Sequence, residues 1–599
     1  MKPVCYRIAP ENPVAHLFRV ELVVDDPDPQ GQRFALPVWI PGSYMVREFA
    51  RNIVTLRALS KNTGRSVHIE KIDKHTWQAA PVKGALKLCY HVYAWDLSVR
   101  AAYLDDTGGF FNGSSVFLAA CGHEDAPCAV EIERPHGAAY RRWRIATALS
   151  EAHGTQRHDF GEYCAANYDE LIDHPVMMGE FALATFNAHG AVHDVALAGR
   201  VVSLDLERLG ADLKRICEKH IALFEPRTKR APMPRYVFIT HAGTDGYGGL
   251  EHRASAALIC KRDDLPVKGV AGMTGGYRAY LGLCSHEYFH AWNVKRIKPA
   301  AFAHYDLARE NHTSLLWLFE GFTSYYDDLM LVRSGVILPE DYFALLGKTI
   351  AGVLRGTGRL KQSVAESSFD AWIKYYRQDE NAVNAIVSYY TKGSLIALAF
   401  DLTIRAQTQG ARSLDDVMRL LWRRYGRDFY DGQATGIGED EVKALVAEAT
   451  GVDLGRLFDD AVYGTRDVPL VELFVPFGVT LVPETEKGAR VSLGVRTNKE
   501  KESADCTLAV VYEGGAAQKA GLSAGDVLVA LDGLRVTRTS LDGLLARYRP
   551  GDKVMVHAFH RDELRAVSVT FDAPEVVRYR FVASGERAAR KLREQWLKG

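Results

Sequence analysis

Apolar and polar residues alternate in short runs over the first part of the chain. Runs of this kind, rich in β-branched and aromatic residues and separated by Pro, Gly, Asn and Asp, predict β-strands. The clearest runs are FRVELVV (18–24), RFALPVWI (33–40), LKLCYHVYAW (86–95) and CAVEIERP (128–135). We therefore expect an N-terminal β-rich domain over residues 1–170.

The pattern changes to helical spacing from about residue 175. RYVFITH (235–241) is one further apolar strand, and helical patterns then run from about 277 to 465. LDDVMRLLWRRYG (414–426) is a compact example, and its final Gly426 suits a helix C-cap. The pattern predicts a mostly α-helical domain over residues 171–470.

Short strands return over residues 475–573, where they are interrupted by the glycine-rich stretch GGAAQKAGLSAGDVLVALDG (514–533). The last stretch, GERAARKLREQWLKG (585–599), is polar with helical spacing. We expect a small β domain over 475–573 and a tail over 574–599 with helical character. The predicted fold class is thus multidomain α+β.

Composition narrows the function classes. The 599 residues contain 74 Lys and Arg against 74 Asp and Glu, so no basic excess favours a nucleic acid or a membrane surface as partner. No apolar run approaches the length of a membrane span, and the N-terminus does not resemble a signal peptide. The nine cysteines include no CxxC pair, which favours reduced thiols and a cytoplasmic location.

The stretch SHEYFHAWNVKR (285–296) carries the candidate chemistry. On a helix, His286 and His290 lie on one face, so both imidazoles can reach one cation. Glu287 points part of a turn away, where it can hold a water molecule on the metal rather than the metal itself. The surrounding residues 276–296 contain no proline and predict a helix, with Cys284 on its buried face.

A catalytic zinc ion needs a third protein ligand, and two glutamates compete for that role. Glu310 precedes a helical stretch, whereas Glu320 lies inside the apolar stretch TSLLWLFEGFTSYYDDLML (313–331), with Thr313 or Ser314 as its N-cap. A carboxylate in such an apolar stretch is costly to bury unless a cation compensates it. We therefore favour Glu320 and keep Glu310 as the alternative.

At this point the sequence resembles a known family. HEYFHAWNVKRIKP (286–299), followed by WLFEGFTSYY (317–326), resembles the M61 glycyl aminopeptidases, which are gluzincin metallopeptidases. Further family-like stretches extend the resemblance over nearly the whole chain: LPVWIPGSYMVREFARN (36–52), GGLEHRAS (248–255), FDAWIKYYRQDENAVNAIVSYYTKGSLIALAFDL (369–402) and YGTRDVPL (463–470). The resemblance implies a thermolysin-like catalytic domain. It also implies one Zn²⁺ per chain, ligated by His286, His290 and Glu320, with Glu287 as general base.

SYYTKG (388–393) matches the Y-x-K-G signature of M1-like enzymes. In those enzymes a tyrosine hydroxyl donates a hydrogen bond to the oxyanion of the tetrahedral intermediate. The resemblance assigns this role to Tyr390. Tyr389 stays open as the alternative, since the sequence alone does not fix the phase of the helix.

GGLEHRAS (248–255) resembles the GxMEN stretch of M1 aminopeptidases, and the matching acid is Glu251. The resemblance implies that its carboxylate binds the α-ammonium group of the substrate. Gly248 and Gly249 are expected to let the backbone approach the substrate closely. Leu250 and His252 depart from the M1 pattern, which leaves the detailed geometry open.

Residues 475–573 resemble a PDZ domain, chiefly through AAQKAGLSAGDVLVALDG (516–533). SLGV (492–495) stands where such domains carry the loop that binds a peptide carboxylate. The resemblance implies the C-terminus of another peptide as a partner, bound by strand addition. A structural or interdomain role is the alternative.

Together these observations predict a zinc aminopeptidase acting on peptide substrates, with the family preference for an N-terminal Gly or Ala. A zinc endopeptidase, in which Glu251 does not close the cleft, is one alternative. The other is a PDZ-type scaffold with a vestigial zinc site.

Overall fold

The computed structural model describes residues 2–432, 434–498 and 504–599. Its chain divides into two compact units. Unit 1 comprises Met1–Asn311, Arg333–Ile337 and Met418–Gly438, and unit 2 comprises His312–Val332, Leu338–Val417 and Glu439–Gly599. Within the described ranges, no helix combines the length and the apolar character that crossing a membrane requires.

The predicted N-terminal strands are present in unit 1. Its strands are β1 (Val4–Asn12), β2 (Leu17–Val24), β3 (Arg33–Ala35), β4 (Ile53–Ser60), β5 (Ser66–Val67), β6 (Ile69–Lys71), β7 (Thr76–Ala79), β8 (Leu86–Tyr93), β9 (Ala102–Leu104), β10 (Gly108–Phe111), β11 (Ala119–Ala120), β12 (Cys128–Ile132), β13 (Arg144–Ala146), β14 (Ser150–Glu151), β15 (Gly161–Ala165), β16 (Val176–Gly179), β17 (Ala182–Ala188), β18 (Ala191–Ala198), β19 (Arg235–Gly243), β20 (Gly248–Glu251) and β21 (Ser255–Lys261). Its helices are α1 (Gly113–Val116), α2 (Tyr168–Ile172), α3 (Leu206–Phe224) and α4 (Gly275–Phe289).

An eight-stranded sheet in the order β14-β15-β12-β1-β2-β8-β4-β5 dominates the N-terminal part of unit 1. In β2 the side chains alternate, so that Phe18, Val20, Leu22 and Val24 are buried on one face. Two four-stranded sheets, β13-β16-β10-β9 and β11-β3-β7-β6, accompany it. Their inner faces form one apolar core that also contains residues of β18 to β21.

A five-stranded sheet in the order β17-β18-β19-β21-β20 supports the candidate site. Strands β18, β19 and β21 are parallel to one another, and the edge strand β20 is antiparallel to β21. Helix α4 packs against β20 and β21, so the HExxH helix lies beside the GGLE strand of the same unit.

Unit 2 is helical over most of its first part. The helices up to the C-terminal domain are α5 (Leu316–Phe319), α6 (Gly321–Arg333), α7 (Pro339–Arg355), α8 (Val364–Phe369), α9 (Ala382–Ala385), α10 (Thr391–Gln407), α11 (Leu414–Leu421), α12 (Val442–Thr450), α13 (Gly455–Leu457) and α14 (Leu470–Phe474). The ends of α6 and α11 extend into residues of unit 1.

The C-terminal part of unit 2 is a β domain with its own apolar core. Its strands are β22 (Val479–Thr485), β23 (Val495–Thr497), β24 (Cys506–Val511), β25 (Val527–Leu531), β26 (Leu534–Arg535), β27 (Lys553–His560), β28 (Glu563–Thr570) and β29 (Val576–Ala583). Its helices are α15 (Ala516–Lys519), α16 (Leu541–Leu545) and α17 (Arg587–Lys598). Strands β23, β24, β25, β27 and β28 form the main sheet in that order, and β22 pairs with β29, which packs on α7. The predicted multidomain α+β fold class is thus confirmed.

Five local predictions needed correction. The run 33–40 is a strand only over Arg33–Ala35, because Pro37 has no N–H to donate to a sheet. The helix predicted over 276–296 ends at Phe289. Gly426 ends a π-helical turn, Trp422–Gly426, and the C-cap is Arg427.

The apolar stretch 313–331 forms two helices rather than one, with a break at Glu320 between α5 and α6. The N-cap of α5 is Leu315, and Thr313 instead accepts a hydrogen bond at its Oγ1 from the Leu315 amide. The predicted caps, Thr313 and Ser314, were therefore wrong.

Candidate active site

The two histidines of the HExxH stretch lie at the carboxyl end of α4. His286 is in the last turn and His290 is the C-cap residue. Their ring planes stand at 81° with centroids 4.7 Å apart, and the two Nε2 atoms are 3.1 Å apart. The Nδ1 of His290 donates to the carbonyl oxygen of Asn293 at 2.8 Å, because a carbonyl can only accept. This bond leaves the lone pair of His290 on Nε2, which faces His286.

These nitrogens fit a metal ion. Zinc–nitrogen bonds of about 2.0–2.1 Å at a tetrahedral angle place two ligand nitrogens roughly 3.3 Å apart. The 3.1 Å between the Nε2 atoms of His286 and His290 is close to that separation. The carboxylates of Glu251 and Glu287 lie close to these nitrogens, since one ligand atom of each lies within 4.8 Å of the other and of His290. The convergent nitrogens of His286 and His290 are the donors of unit 1 that suit zinc.

Glycine on β20 lets the strand approach the proposed base. A Cβ atom at Gly249 would lie 2.0 Å from Oε1 of Glu287, whereas a Cβ atom at Gly248 meets nothing nearer than 3.9 Å. Gly249 and Glu251 face the same side of the strand, because side chains alternate along it. Glu251 and Glu287 are only 3% and 4% exposed. The two carboxylates thus share a buried space beside α4.

A loop of the N-terminal domain closes this space around Glu251. Gly42 has φ 95°, and a Cβ atom on it would lie 2.5 Å from both carboxylate oxygens of Glu251. Only glycine combines that backbone angle with so close an approach. The loop is held in place because Arg47 donates to Ser43 Oγ at 2.6 Å and the ring of Tyr44 stacks on Phe302. The stretch IPGSY (40–44) therefore forms a wall of the Glu251 pocket.

Neutral hydrogen bonds hold α4 from its buried side. His193 donates from Nδ1 to the Ala191 carbonyl at 3.0 Å, so its Nε2 accepts from the Tyr288 hydroxyl at 2.9 Å. Burial lowers the pKa of His193 to about 4, which keeps the ring neutral. Cys284 is fully buried on this face, as predicted.

Charged groups hold the segments that follow β20 and α4. Asp173, directly after α2, binds Arg253 Nε at 2.9 Å, Lys295 Nζ at 2.7 Å and His252 Nδ1 at 3.1 Å. Burial alone would raise the pKa of Asp173, but Lys295, His252 and Arg253 hold it well below its usual range. Arg296 donates to the Arg253 carbonyl at 2.9 Å. One buried carboxylate thus ties the end of the Glu251 strand to the turn after His290.

Glu320, described within unit 2, is 2% exposed and is the C-cap of α5. The next residue, Gly321, touches Gly393 of the Y-x-K-G stretch: a Cβ atom on Gly321 would lie 2.6 Å from the Gly393 Cα. This backbone contact brings the WLFEGF and SYYTKG stretches together. Glu310, the alternative third ligand, is an exposed residue outside any helix.

The two tyrosines of SYYTKG differ in environment. Tyr389 is fully buried, and its ring packs 4.8 Å from that of Tyr390. Tyr390 is partly exposed at the N-cap of α10, with its hydroxyl 3.3 Å from the hydroxyl of Tyr376. Burial raises the pKa of Tyr390 well above its ordinary value, and the nearby Glu320 charge raises it further. Tyr390 is therefore a neutral donor close to Glu320.

The C-terminal β domain has a groove between β23 and α16. Its cavity measures about 520 Å³, and Leu493, Val495, Leu541 and Leu545 are among the residues that line it. The SLGV stretch lies at this groove, where Ser492 Oγ accepts from the Gly494 amide at 2.8 Å.

Sequence reasoning assigned no role to Gly42 or Asp173. Gly42 lay within the family-like stretch 36–52, and that resemblance was the available signal. Asp173 is separated from its partners by about 80 residues or more, and no local pattern marks such a contact.

The chain is similar to known protein families and to solved structures. Residues 5–180 match the peptidase M61 N-terminal domain, residues 279–396 match the M61 glycyl aminopeptidase and residues 491–571 match a PDZ domain. The solved structure of an aminopeptidase N family protein from Idiomarina loihiensis is 40% identical, with a TM-score of 0.93 over 99% of this chain and 100% of that chain. An M1 zinc metallopeptidase from Deinococcus radiodurans is 13% identical, with a TM-score of 0.47 over 78% of this chain and 95% of that chain. Among proteins with curated descriptions, none is significantly similar.

The relative from Idiomarina loihiensis is similar over the full length of both chains, and the peptidase match contains His286, Glu287, His290, Glu320 and Tyr390. The chain therefore belongs to the peptidase M61 family and is a peptidase that carries a PDZ domain.

Proposed function

We propose that this peptidase is a zinc-dependent aminopeptidase that removes one small residue, Gly or Ala, from the N-terminus of peptides. One zinc ion per chain is held by His286, His290 and Glu320. Two observations support this set: the convergent Nε2 atoms of the histidines, and the burial of Glu320 in an apolar stretch of unit 2. A buried carboxylate without a cation would be costly.

The observation that carries the proposal is the position of Glu251. Its carboxylate is buried between Gly42 and α4, beside Glu287 and His290. Two buried carboxylates within 4.8 Å repel each other, so a cationic partner is favoured there. The α-ammonium group of a peptide supplies that charge, and its binding at Glu251 places the first peptide bond next to Glu287.

Each residue of the proposed site has a separate role in peptide hydrolysis. Zinc, when bound, supplies a Lewis acid that lowers the pKa of water and polarises a carbonyl group. Glu287 accepts the proton of the attacking water and returns it to the leaving nitrogen. Tyr390 donates a hydrogen bond to the oxyanion, and Glu251 fixes the amine.

The preference for a small first residue is supported by the same pocket. The IPGSY wall lies against Glu251, and Gly42 leaves no space at its Cα for an added methyl group. A substrate side chain close to the amine meets this wall. Glycine and alanine are therefore the residues that we expect to fit best.

The test compares free and N-acetylated forms of one glycyl peptide. Wild-type enzyme with zinc should cleave the free peptide and leave the acetylated one intact. Glu251→Gln should lose roughly ten- to a hundredfold in kcat/KM on the free peptide, because a partly desolvated charged hydrogen bond is lost, and its zinc content should not change. Equal cleavage of the two forms by the wild type would favour an endopeptidase.

A second proposed function is peptide capture by the PDZ domain. The observation that favours it is the groove between β23 and α16, where Leu493, Val495, Leu541 and Leu545 offer apolar contacts for a C-terminal side chain. Leu541→Lys should abolish binding of a labelled peptide that ends in an apolar residue. Unchanged binding would leave a structural role for the domain.

A further inference from the structure

Arg100 is a cation of the N-terminal domain that lies beside the edge strand of the candidate active site. It is in the turn between β8 and β9, and its Nη2 donates to the Gly249 carbonyl at 3.3 Å. Its Nη1 lies 3.9 Å from the place where Gly248 would carry a Cβ atom. Both glycines are partly exposed to solvent. A ligand can therefore reach this part of the strand, next to the guanidinium group of Arg100.

The turn that carries Arg100 is firmly anchored. The side chain of Asn112 donates to the Val99 carbonyl at 2.7 Å, and the Asn112 amide donates to the Ala101 carbonyl at 3.1 Å. Val99 itself is buried. The backbone on both sides of Arg100 is therefore fixed, and so is the point from which its side chain starts.

Arg100 has no carboxylate at salt-bridge distance among residues 2–432, 434–498 and 504–599. Its Nε is buried and makes no hydrogen bond within those ranges. A guanidinium offers five donors in a rigid fork that matches a carboxylate. Arg100 is thus a half-buried cation with spare donors, and it lies next to a strand that solvent can reach. Such an arginine favours an anionic ligand.

The order of residues along β20 indicates which anion. Glu251 marks the amine end, Gly249 lies against Glu287 and marks the reacting bond, and Gly248 with Arg100 marks the leaving-group end. Three residues of strand span roughly 10 Å, which is about the length of an extended di- or tripeptide. The carboxylate of such a peptide, aligned along β20, reaches Arg100.

We propose that Arg100 binds the C-terminal carboxylate of short substrates, so that the enzyme prefers di- and tripeptides with a free C-terminus. The proposal rests on the aminopeptidase function above, because that function sets the direction in which the substrate lies. It gives the N-terminal β domain a part in substrate selection.

The test measures kcat/KM for glycyl-phenylalanine and for its C-terminal amide, using the full-length enzyme with zinc. The readout is the ratio of acid to amide, because loss of the bond to Gly249 would lower both rates alike. In the wild type this ratio should be roughly 10 to 100, the usual range for a charged hydrogen bond. For a glycyl hexapeptide the ratio should be near one, since its carboxylate lies beyond Arg100.

Arg100→Gln should bring the dipeptide ratio close to one, and Arg100→Lys should restore part of it because the charge is kept without the fork. Arg65→Gln, at an exposed turn before β5, is the matched control and should keep the wild-type ratio. A wild-type ratio near one would overturn the proposal, and so would an equal loss on acid and amide in Arg100→Gln. If the wild type cleaved neither dipeptide form nor the hexapeptide, the aminopeptidase function itself would fail.

Discussion

Two glycine contacts show how differently the two units hold their site residues. In unit 1, Gly249 of β20 lies against the end of the Glu287 side chain. In unit 2, Gly321 lies against the backbone of Gly393. A flexible carboxylate can move aside when a methyl group is added, whereas a backbone cannot. We therefore expect the first contact to set the position of the proposed base, Glu287, and the second to set the packing of the fold.

The largest expected effect concerns Glu287, the proposed base, which Gly249 contacts. Because Glu287 is proposed as base and not as ligand, Glu287→Gln should keep the metal and lose roughly 10²–10⁴-fold in kcat. Zinc analysis measures the metal content, and steady-state kinetics on a glycyl peptide measures kcat. A variant with more than about a tenth of wild-type kcat would remove Glu287 from the mechanism.

On the side of unit 2, the proposed oxyanion donor is Tyr390. Tyr390→Phe should lose about 10²–10³-fold in kcat with little change in KM, because one oxyanion donor is removed. Tyr389→Phe is the matched control, since Tyr389 is fully buried behind it. If Tyr389→Phe were the slower enzyme, the donor would be one residue upstream.

A methyl group on Gly249 would shift the Glu287 side chain without changing its chemistry, which tests the contact in unit 1 directly. Gly249→Ala should displace the carboxylate by about an ångström and cost on the order of 10²-fold in kcat/KM, with only a small change in melting temperature. Gly248→Ala, whose Cβ meets nothing nearer than 3.9 Å, should lose much less. Equal losses in the two variants would show that Gly249 does not position the base.

The smallest expected effect concerns stability. Gly321→Ala should destabilise the protein by roughly 1–3 kcal/mol, because overpacking here cannot be relieved by a side chain. The control is Gly352→Ala within α7, where a Cβ meets no atom within 4 Å and helix propensity favours alanine. Thermal unfolding of both variants measures the difference. If Gly321→Ala unfolded at the wild-type temperature, Gly321 would not be needed for packing against Gly393.

Residues that are close in sequence could be predicted to lie together. His286, Glu287 and His290 lie within five residues, so helical spacing was enough to bring them together. Strand runs such as 18–24 and 86–95 also emerged as strands, because local alternation reports a buried face. The assignment of Glu251 to the substrate amine came from family resemblance rather than from spacing, and it stays a prediction.

Contacts between distant segments could not be predicted in this way. The Gly42 wall, the Asp173 ion pairs and the Arg100 contact with Gly249 each join residues at least 79 positions apart. The break at Glu320 was missed for the same reason. Helical spacing is continuous through residues 313–331, whereas the break lies at Glu320, next to the contact between Gly321 and the distant Gly393.

The most direct test of the account is a zinc measurement on three purified proteins. The wild type and Glu310→Gln should each retain one zinc ion per chain after dialysis, and Glu320→Gln should lose most of it, because one of three protein ligands is removed. Little or no zinc in the wild type would contradict the proposed centre. So would loss of zinc from Glu310→Gln together with full zinc occupancy in Glu320→Gln.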